Sequence, residues 1–434
     1  MKLPPTLRAL QYRNFQLFFG GQLISLIGTW MQNMAQAWLV YRLTGSSVLL
    51  GAIGFSGQIP VFLLSPLGGI VADRYSRHRA VIATQTASML LAFPLAALTL
   101  TGTVRIWHVF VLSALLGTVN AFDIPARQSF IVEMVGRTDL MNAIALNSSM
   151  FNASRIVGPA IAGILVARIG EGWCFFANAV SYIAVIIGLM LMRVARRQPE
   201  ARTESPLATI IEGFRFVIQN PPIHALLVLL GVVSVTGMPY AVLMPIFAGR
   251  ILHGGAQALG WLMGASGVGA LAAALLLASR EHLRGLGLWV AVAAMGFGAG
   301  LVAFSFSRIF WLSAAILAPI GFSMMIQMGS SNTLIQSMVP DRLRGRVMSV
   351  YSMMFMGMAP IGSLLAGAAA GKLGAPLTVA GGGVICMVGA AIFWLWLPQI
   401  RVGARRLIVA QQMAAGNPPQ EMTGGSLAVE QVRE

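Results

Sequence analysis

An all-α polytopic membrane protein of about twelve spanning helices, in two similar halves, is what this sequence predicts, and three observations carry it. Of 434 residues, 57% are hydrophobic and only 10% charged, with a mean hydropathy of +0.78. That leaves too little polar surface for a chain folding in water. About twelve apolar runs reach the roughly 20 residues that cross a bilayer. The basic residues also alternate. Arg42, Arg105, Arg168, Arg250, Arg308 and Lys372 stand singly in every second connection, Arg155 lies inside an apolar run, and the rest of the 29 occupy the other connections and the termini. This asymmetry follows the positive-inside rule and puts both termini on the cytoplasmic side of the inner (plasma) membrane.

The elements follow in order, near 15–41, 47–72, 79–101, 106–126, 141–167, 172–195, 223–250, 257–278, 286–306, 310–339, 346–371 and 376–397. The first run is too long for a signal-peptide core and lacks a small-residue cleavage site, so it is read as a span. Trp38, Tyr41, Trp107, Trp173, Trp311 and Trp394 fall near segment ends, where amphipathic rings anchor at headgroup level. A connection at 196–222 separates an N-terminal bundle, 1–195, from a C-terminal bundle, 223–398. Within it Leu207, Ile210, Ile211, Phe214 and Ile218 recur at helical spacing, with Ser205 and Pro206 as the start and Asn220-Pro221-Pro222 as the stop. The expectation is an amphipathic helix on the inner leaflet. The tail, 399–434, has no apolar period after Arg406 and is expected to be disordered.

Sliding the chain on itself by 204 residues matches Ile131 with Ile335, Met134 with Met338, Gly158 with Gly362 and Gly163 with Gly367. Parallel repeats of this kind predict two bundles with a site between them near mid-membrane, and rocking that exposes it to each side in turn.

Several function classes drop out. A net charge of +16 suggests nucleic acid, but a binder clusters its charge on one polar face, whereas these clusters separate apolar runs and suit anionic lipid headgroups. Cys174 and Cys386 lie in distant apolar segments, with neither metal spacing nor a disulfide partner. No nucleophile, base and acid cluster and no nucleotide loop is present, so neither an enzyme nor an ATP-driven pump is predicted, and no metal or cofactor. Asn147 and Asn152 match glycan patterns inside a span, and Gly264 to Gly269 resembles a phosphate loop only in composition.

Between the second and third runs stands Gly69-Ile-Val-Ala-Asp73-Arg74-Tyr-Ser-Arg77-His-Arg. It resembles the loop signature of the major facilitator superfamily, with Ser76 where a glycine is more usual. The resemblance implies that Gly69 lets two helices approach, and that Asp73, with Arg74 and Arg77, forms a cytoplasmic gate by facing a helix N-terminus of the other half. Such a contact contributes about 0.3–1 kcal/mol, up to ~2 when partly buried. The equivalent loop, Ser279 to Arg284, lacks the aspartate.

Arg155-Ile-Val-Gly158-Pro159-Ala-Ile-Ala-Gly163 resembles the signature of the exporting, antiporter members of that superfamily. Its small residues permit tight helix packing and Pro159 frees a carbonyl. Arg13 to Phe19, Gly28 to Gln32, Trp38 to Ser46, Asp123 to Gln128 and Asn142 to Ser148 together look like the drug and siderophore exporter branch related to the enterobactin exporter. That resemblance implies proton-driven efflux of a small amphipathic compound. One departure is Ser113, four residues before Gly117, where many antiporters carry an arginine.

Of 13 acidic residues only Asp123 falls within a span, and Arg155 is the one deeply placed cation. Intramembrane charge costs about 2.5–3.5 kcal/mol at mid-span by insertion scales, so both are functional by default. Asp123 is the proton carrier, or else an end-cap facing cytoplasmic water. Arg155 binds anionic substrate or a polar neighbour, or else bonds carbonyls freed by Pro159. If the superfamily arrangement holds, the cavity is lined by the first, fourth, seventh and tenth segments. That nominates Gln32, Asn33, Gln36, Asn120, Tyr240, Met324, Met325, Gln327 and Met328, with interhelical packing the alternative for the amides and core filling for the methionines. The reading is a monomeric secondary exporter of small amphipathic molecules working by proton antiport. The alternatives are an uptake permease, a lysolipid translocator of the same fold, or a non-transporting membrane sensor.

Overall fold

The computed structural model describes residues 5–136, 138–194, 206–279 and 285–414, whose regular structure is helical throughout. A 3-10 turn, Pro5–Gln11, leads into α1 (Arg13–Thr44), α2 (Ser47–Arg74), α3 (Arg77–Leu100), α4 (Ile106–Val135), α5 (Leu140–Ile169) and α6 (Glu171–Met190). A short helix, α7 (Pro206–Gln219), precedes α8 (Pro221–Ile251), α9 (Gly255–Ala278), α10 (Leu286–Phe306), α11 (Phe310–Met338), α12 (Asp341–Leu373) and α13 (Ala375–Ala414). Eleven of the described helices are long and apolar enough to cross a membrane. Six amides dilute α1, which is not among the eleven, yet its 32 residues pack against α5 and α6. At its end Arg42 makes a bidentate pair, 2.7 and 3.1 Å, with buried Glu171 of α6.

Helices α1 to α6 pack among themselves, and so do α8 to α13, giving two six-helix bundles. They meet along two seams, α5 with α9 and α2 with α12. Both seams need glycine because backbone meets backbone. On Gly163 a Cβ would lie 3.2 Å from the Ala256 carbonyl, and on Gly260 it would run into the carbonyl of Pro159. On Gly367 it would lie 2.7 Å from the Ser47 carbonyl, and on Gly51 it would run into the carbonyl of Ser363. Pro159 and Gly163 precede Ser363 and Gly367 by the 204 residues of the sequence repeat, so the weak internal likeness is a repeated packing geometry. The seams lie at the start of α2 and the end of α5, which closes the halves on each other at the end away from the termini.

The second half differs in one respect. α8 contains π-helical turns at Val233–Gly237 and Phe247–Ile251, and α12 one at Met353–Gly357. The first two end in wide-ring bonds, Met238 N to Val233 O at 3.0 Å and Leu252 N to Phe247 O at 2.8 Å. Pro239, Pro245 and Pro360, which have no N–H to give, stand close by in sequence. Ser234 donates to the Phe355 carbonyl at 2.6 Å and ties two of these turns together. The described helices of the first half run without such turns despite Pro60, Pro66, Pro94, Pro125 and Pro159.

Two sequence expectations change. α13 continues to Ala414 and overturns the expected disorder just past Arg406. Ile400 and Ile408 are buried, and Gly403 sits close to Pro222, so an apolar stripe outlasts the apolar run. Residues 415–434 lie outside the described ones, as do 280–284 of the second-half loop. α7 docks on α12 rather than resting on a leaflet alone. Val217 is buried, a Cβ on Gly213 would lie 2.7 Å from the Arg346 carbonyl, and Glu212 pairs with Arg346. Ile211 and Ile218 stay exposed, while the side chains of Leu207 and Ile210 are outside the described set.

Candidate functional site

Arg155 sits on α5 beside Ile156, whose side chain would lie 2.8 Å from a Cβ on Gly267 of α9, and so stands where the halves meet. Its guanidinium lies over the Trp30 ring of α1, 6.0 Å from the centroid. Tyr240 of α8, in the second half, is within electrostatic reach. The Tyr240 hydroxyl shares a 3.0 Å hydrogen bond with Ser266, and its ring meets Phe297 edge-on at 6.2 Å. Among the described residues Arg155 has no ion pair and no hydrogen-bond acceptor, although it is half-buried. The carbonyls around Pro159 therefore do not engage it, which corrects the structural alternative. A stacked aromatic offsets about 0.5–2 kcal/mol of the cost of that cation, less than mid-membrane burial imposes.

The nominated amides separate into two groups. Gln36 donates to Ser113 of α4 at 3.0 Å, so the position that departs from the antiporter pattern serves an α1–α4 contact. Asn33 is exposed on the helix face it shares with Trp30, and Asn120 is half-buried. Gln32 points elsewhere. It is 4% exposed and accepts from Asn178 of α6 at 2.7 Å, and Asn178 is held in turn by Ser181, so Gln32 is an interhelical clasp and not a cavity wall. Sequence reading missed Asn178, although an amide and a serine one turn apart in an otherwise apolar helix signal such a partner. Gln32→Leu strands the Asn178 amide and is expected to cost about 1–3 kcal/mol, read as a lower unfolding midpoint in detergent. Gln32→Leu combined with Asn178→Leu should cost less than Gln32→Leu alone.

On α11, Met324 and Gln327 are buried and the Gln327 Nε2 has no acceptor among the described residues. Met328 is half-buried and gives its carbonyl to the Tyr351 hydroxyl at 3.1 Å. Met325 packs beside Ala273, Ala293 and Ile326 inside the second bundle, which removes it from the cavity set.

Asp123 is 3% exposed, so it is no end-cap facing water. Thr84 and Gln85 of α3 donate to its Oδ1 at 2.7 and 2.9 Å, and Arg127 lies 3.3 Å from its Oδ2. This cluster is internal to the first bundle. Asp123 and Arg155 have separate partners and do not form a pair. In the loop, Arg77 donates to the carbonyls of Ala72 and Ser129 and reaches Glu133 at 3.2 Å, tying α2 to α4 within one half. Arg74 is exposed, and the Asp73 side chain lies outside the described set. The tight glycine is Gly68, whose Cβ would run into the Ala121 carbonyl, whereas Gly69 faces open space, a correction to the motif reading. Ser76 caps α3. Gly158 packs α5 on α1, where a Cβ would lie 2.9 Å from the Ile27 carbonyl, and Gly163 packs α5 on the other half.

Residues 5–416 match the family described as transmembrane secretion effectors, within the major facilitator superfamily. The chain belongs to that family. The chain is 28% identical over 351 residues to the staphyloferrin A transporter of Staphylococcus aureus, covering 80% of this chain and 87% of the relative. It is 28% identical over 351 residues to the multidrug efflux pump Tap of Mycolicibacterium fortuitum, covering 79% and 85%. With the enterobactin exporter EntS of Escherichia coli it shares 23% over 413 residues, covering 95% and 96%. Among solved structures, the nucleoside transporter NupG superposes with a TM-score of 0.71 at 13% identity, over 88% of this chain and 99% of that one, a likeness of fold. The chain is thus a multi-pass membrane transporter of small molecules and not an enzyme.

Proposed function

We propose that this transporter exports small amphipathic compounds, of drug or siderophore type and anionic ones among them, across the inner membrane by proton antiport and alternating access. The observation that carries the reading is Arg155, which has no ion pair or hydrogen-bond acceptor among the described residues and lies where the halves meet, over Trp30 and within electrostatic reach of Tyr240. A cation with no acceptor among the described residues, at a half-buried place between the bundles, is a ready counter-charge for a carboxylate or catecholate, and the aromatic Trp30 suits an apolar scaffold. Asn33, Gln36, Asn120, Met324, Gln327 and Met328 supply the surrounding polar and flexible apolar surface. Glycine seams at one end support a state open toward the termini, which we place in the cytoplasm.

Asp123 carries the proton in this reading. Protonation removes the charge that holds Arg127, and Arg77, Asp73 and Arg74 form the latch at the same end. Transport by a monomer is sufficient. The test is reconstitution of the whole chain in inverted orientation, with an imposed proton gradient and a protonophore control, following one carboxylate siderophore and one lipophilic dye. Gradient-driven accumulation supports antiport, and flux indifferent to the gradient removes it. Absence of flux for both compounds sinks the export reading in favour of lysolipid translocation or a non-transporting role. Asp123→Asn is expected to leave downhill exchange in place and to abolish the pH dependence of uptake. Full gradient-driven uptake by that variant would take Asp123 out of coupling.

A further inference from the structure

We propose that the first bundle holds one anionic phospholipid at a built site, apart from the transport path. A cavity of ≈ 260 Å³ opens where α1 begins and α6 ends, lined by Tyr12, Arg13, Asn14, Met134, Leu191 and Arg193. Its frame is fixed by a reciprocal pair of bonds. The Asn14 amide donates to the Arg193 carbonyl at 2.9 Å, and the Arg193 backbone N–H donates to Asn14 Oδ1 at 3.3 Å. Arg13 and Arg193 both line this cavity, both are exposed, and neither guanidinium has an acceptor among the described residues. The neighbouring carboxylate, Asp139, is 5% exposed and already accepts from the Tyr12 hydroxyl at 2.8 Å and from Gln11 at 3.0 Å. Two guanidinium forks over one cavity match the oxygens of a phosphodiester.

The apolar part of the cavity decides between a lipid and a free phosphate. Leu191 on the rim is 55% exposed and begins a stripe up α6 through Ile187 at 52%, Ile183 at 39% and Val180 at 42%, spaced three to four residues apart on one face. An acyl chain attached to a phosphate in the cavity has this wall to lie along, and inorganic phosphate has no use for it. The cavity also lies at the end where the basic connections meet the membrane surface.

The test is native mass spectrometry of the full-length protein in detergent, titrated with phosphatidylglycerol, with phosphatidylcholine and with phosphatidylglycerol plus inorganic phosphate. The expected result is a single phosphatidylglycerol adduct with at least fivefold higher occupancy than phosphatidylcholine, unmoved by millimolar phosphate. Arg13→Gln with Arg193→Gln should erase that preference, and Arg405→Gln, an exposed charge at the same end of the molecule, should keep it. Equal binding of the two lipids by the unaltered protein overturns the proposal, and this comparison decides the matter alone where the double variant fails to fold. Loss of preference in Arg405→Gln would show mere surface charge, and displacement by phosphate would show a free-anion site. Either result also overturns it.

Discussion

Arg155→Gln is expected to lower transport of a carboxylate or catecholate siderophore about ten- to hundredfold while leaving a cationic lipophilic dye within a factor of two. The magnitude follows from losing a hydrogen bond to a charged group out of water, about 1.5–3 kcal/mol. Because Arg155 has no ion pair and no hydrogen-bond acceptor among the described residues, the substitution strands no carboxylate and loses only the contact with Trp30, so the fold should persist with a melting temperature close to that of the unaltered protein. Initial rates in proteoliposomes at several substrate concentrations separate the possibilities. A rise in KM with little change in kcat marks ground-state binding of the anion. Equal loss for dye and siderophore would instead mark Arg155 as part of the conformational machinery.

Gly51→Val should abolish transport of every substrate, because the added atoms meet the Ser363 carbonyl and the Gly367 Cα, which are backbone and cannot rotate away. Closure at that end then becomes unattainable and the protein stays open there. Asn33→Cys, on the exposed face of α1, provides the reporter, since the two native cysteines are buried. An impermeant maleimide applied to the side away from the termini should label Asn33→Cys weakly alone and at least fivefold faster when Gly51→Val is added. Gly54→Ala is the comparison, since its Cβ meets nothing closer than 3.5 Å and it should transport normally. Equal labelling with and without Gly51→Val would remove the seam from the closing mechanism.

The spans were legible because apolar length and charge alternation act on whole segments. The tenth run, predicted at 310–339, is the helix Phe310–Met338. The repeat was legible as well, since small residues at seams leave a trace when backbones must touch twice in the same way. Facing directions were not. In the run Gly68-Gly69 one step rotates the side chain by about 100°, and the motif alone does not say which glycine meets α4. The same limit hid Gln32, whose orientation is set by an amide on α6 that lies 146 positions away in the chain. Asp123 and Arg127, by contrast, stand four apart on one helix, a spacing that already implies the ion pair. The extension of α13 escaped notice because hydropathy falls at Arg401 while Ile400, Ala404 and Ile408 keep the helical stripe.

The wide turns of α8 and α12 make the two halves mechanically unequal. A π turn replaces the i→i+4 bonds of the α-helical ladder by wider i→i+5 rings, and such turns occur mostly as single bulges, frequently at functional sites. With two of them tied by Ser234 and Phe355, we expect α8 and α12 to deform more readily than the helices of the first half. Strain from filling the space beside Arg155 would then be stored on the Tyr240 side, and amide exchange should be fastest at Val233–Gly237 and Met353–Gly357 when substrate turns over. In such a machine the first bundle keeps the charges in place and the second one yields.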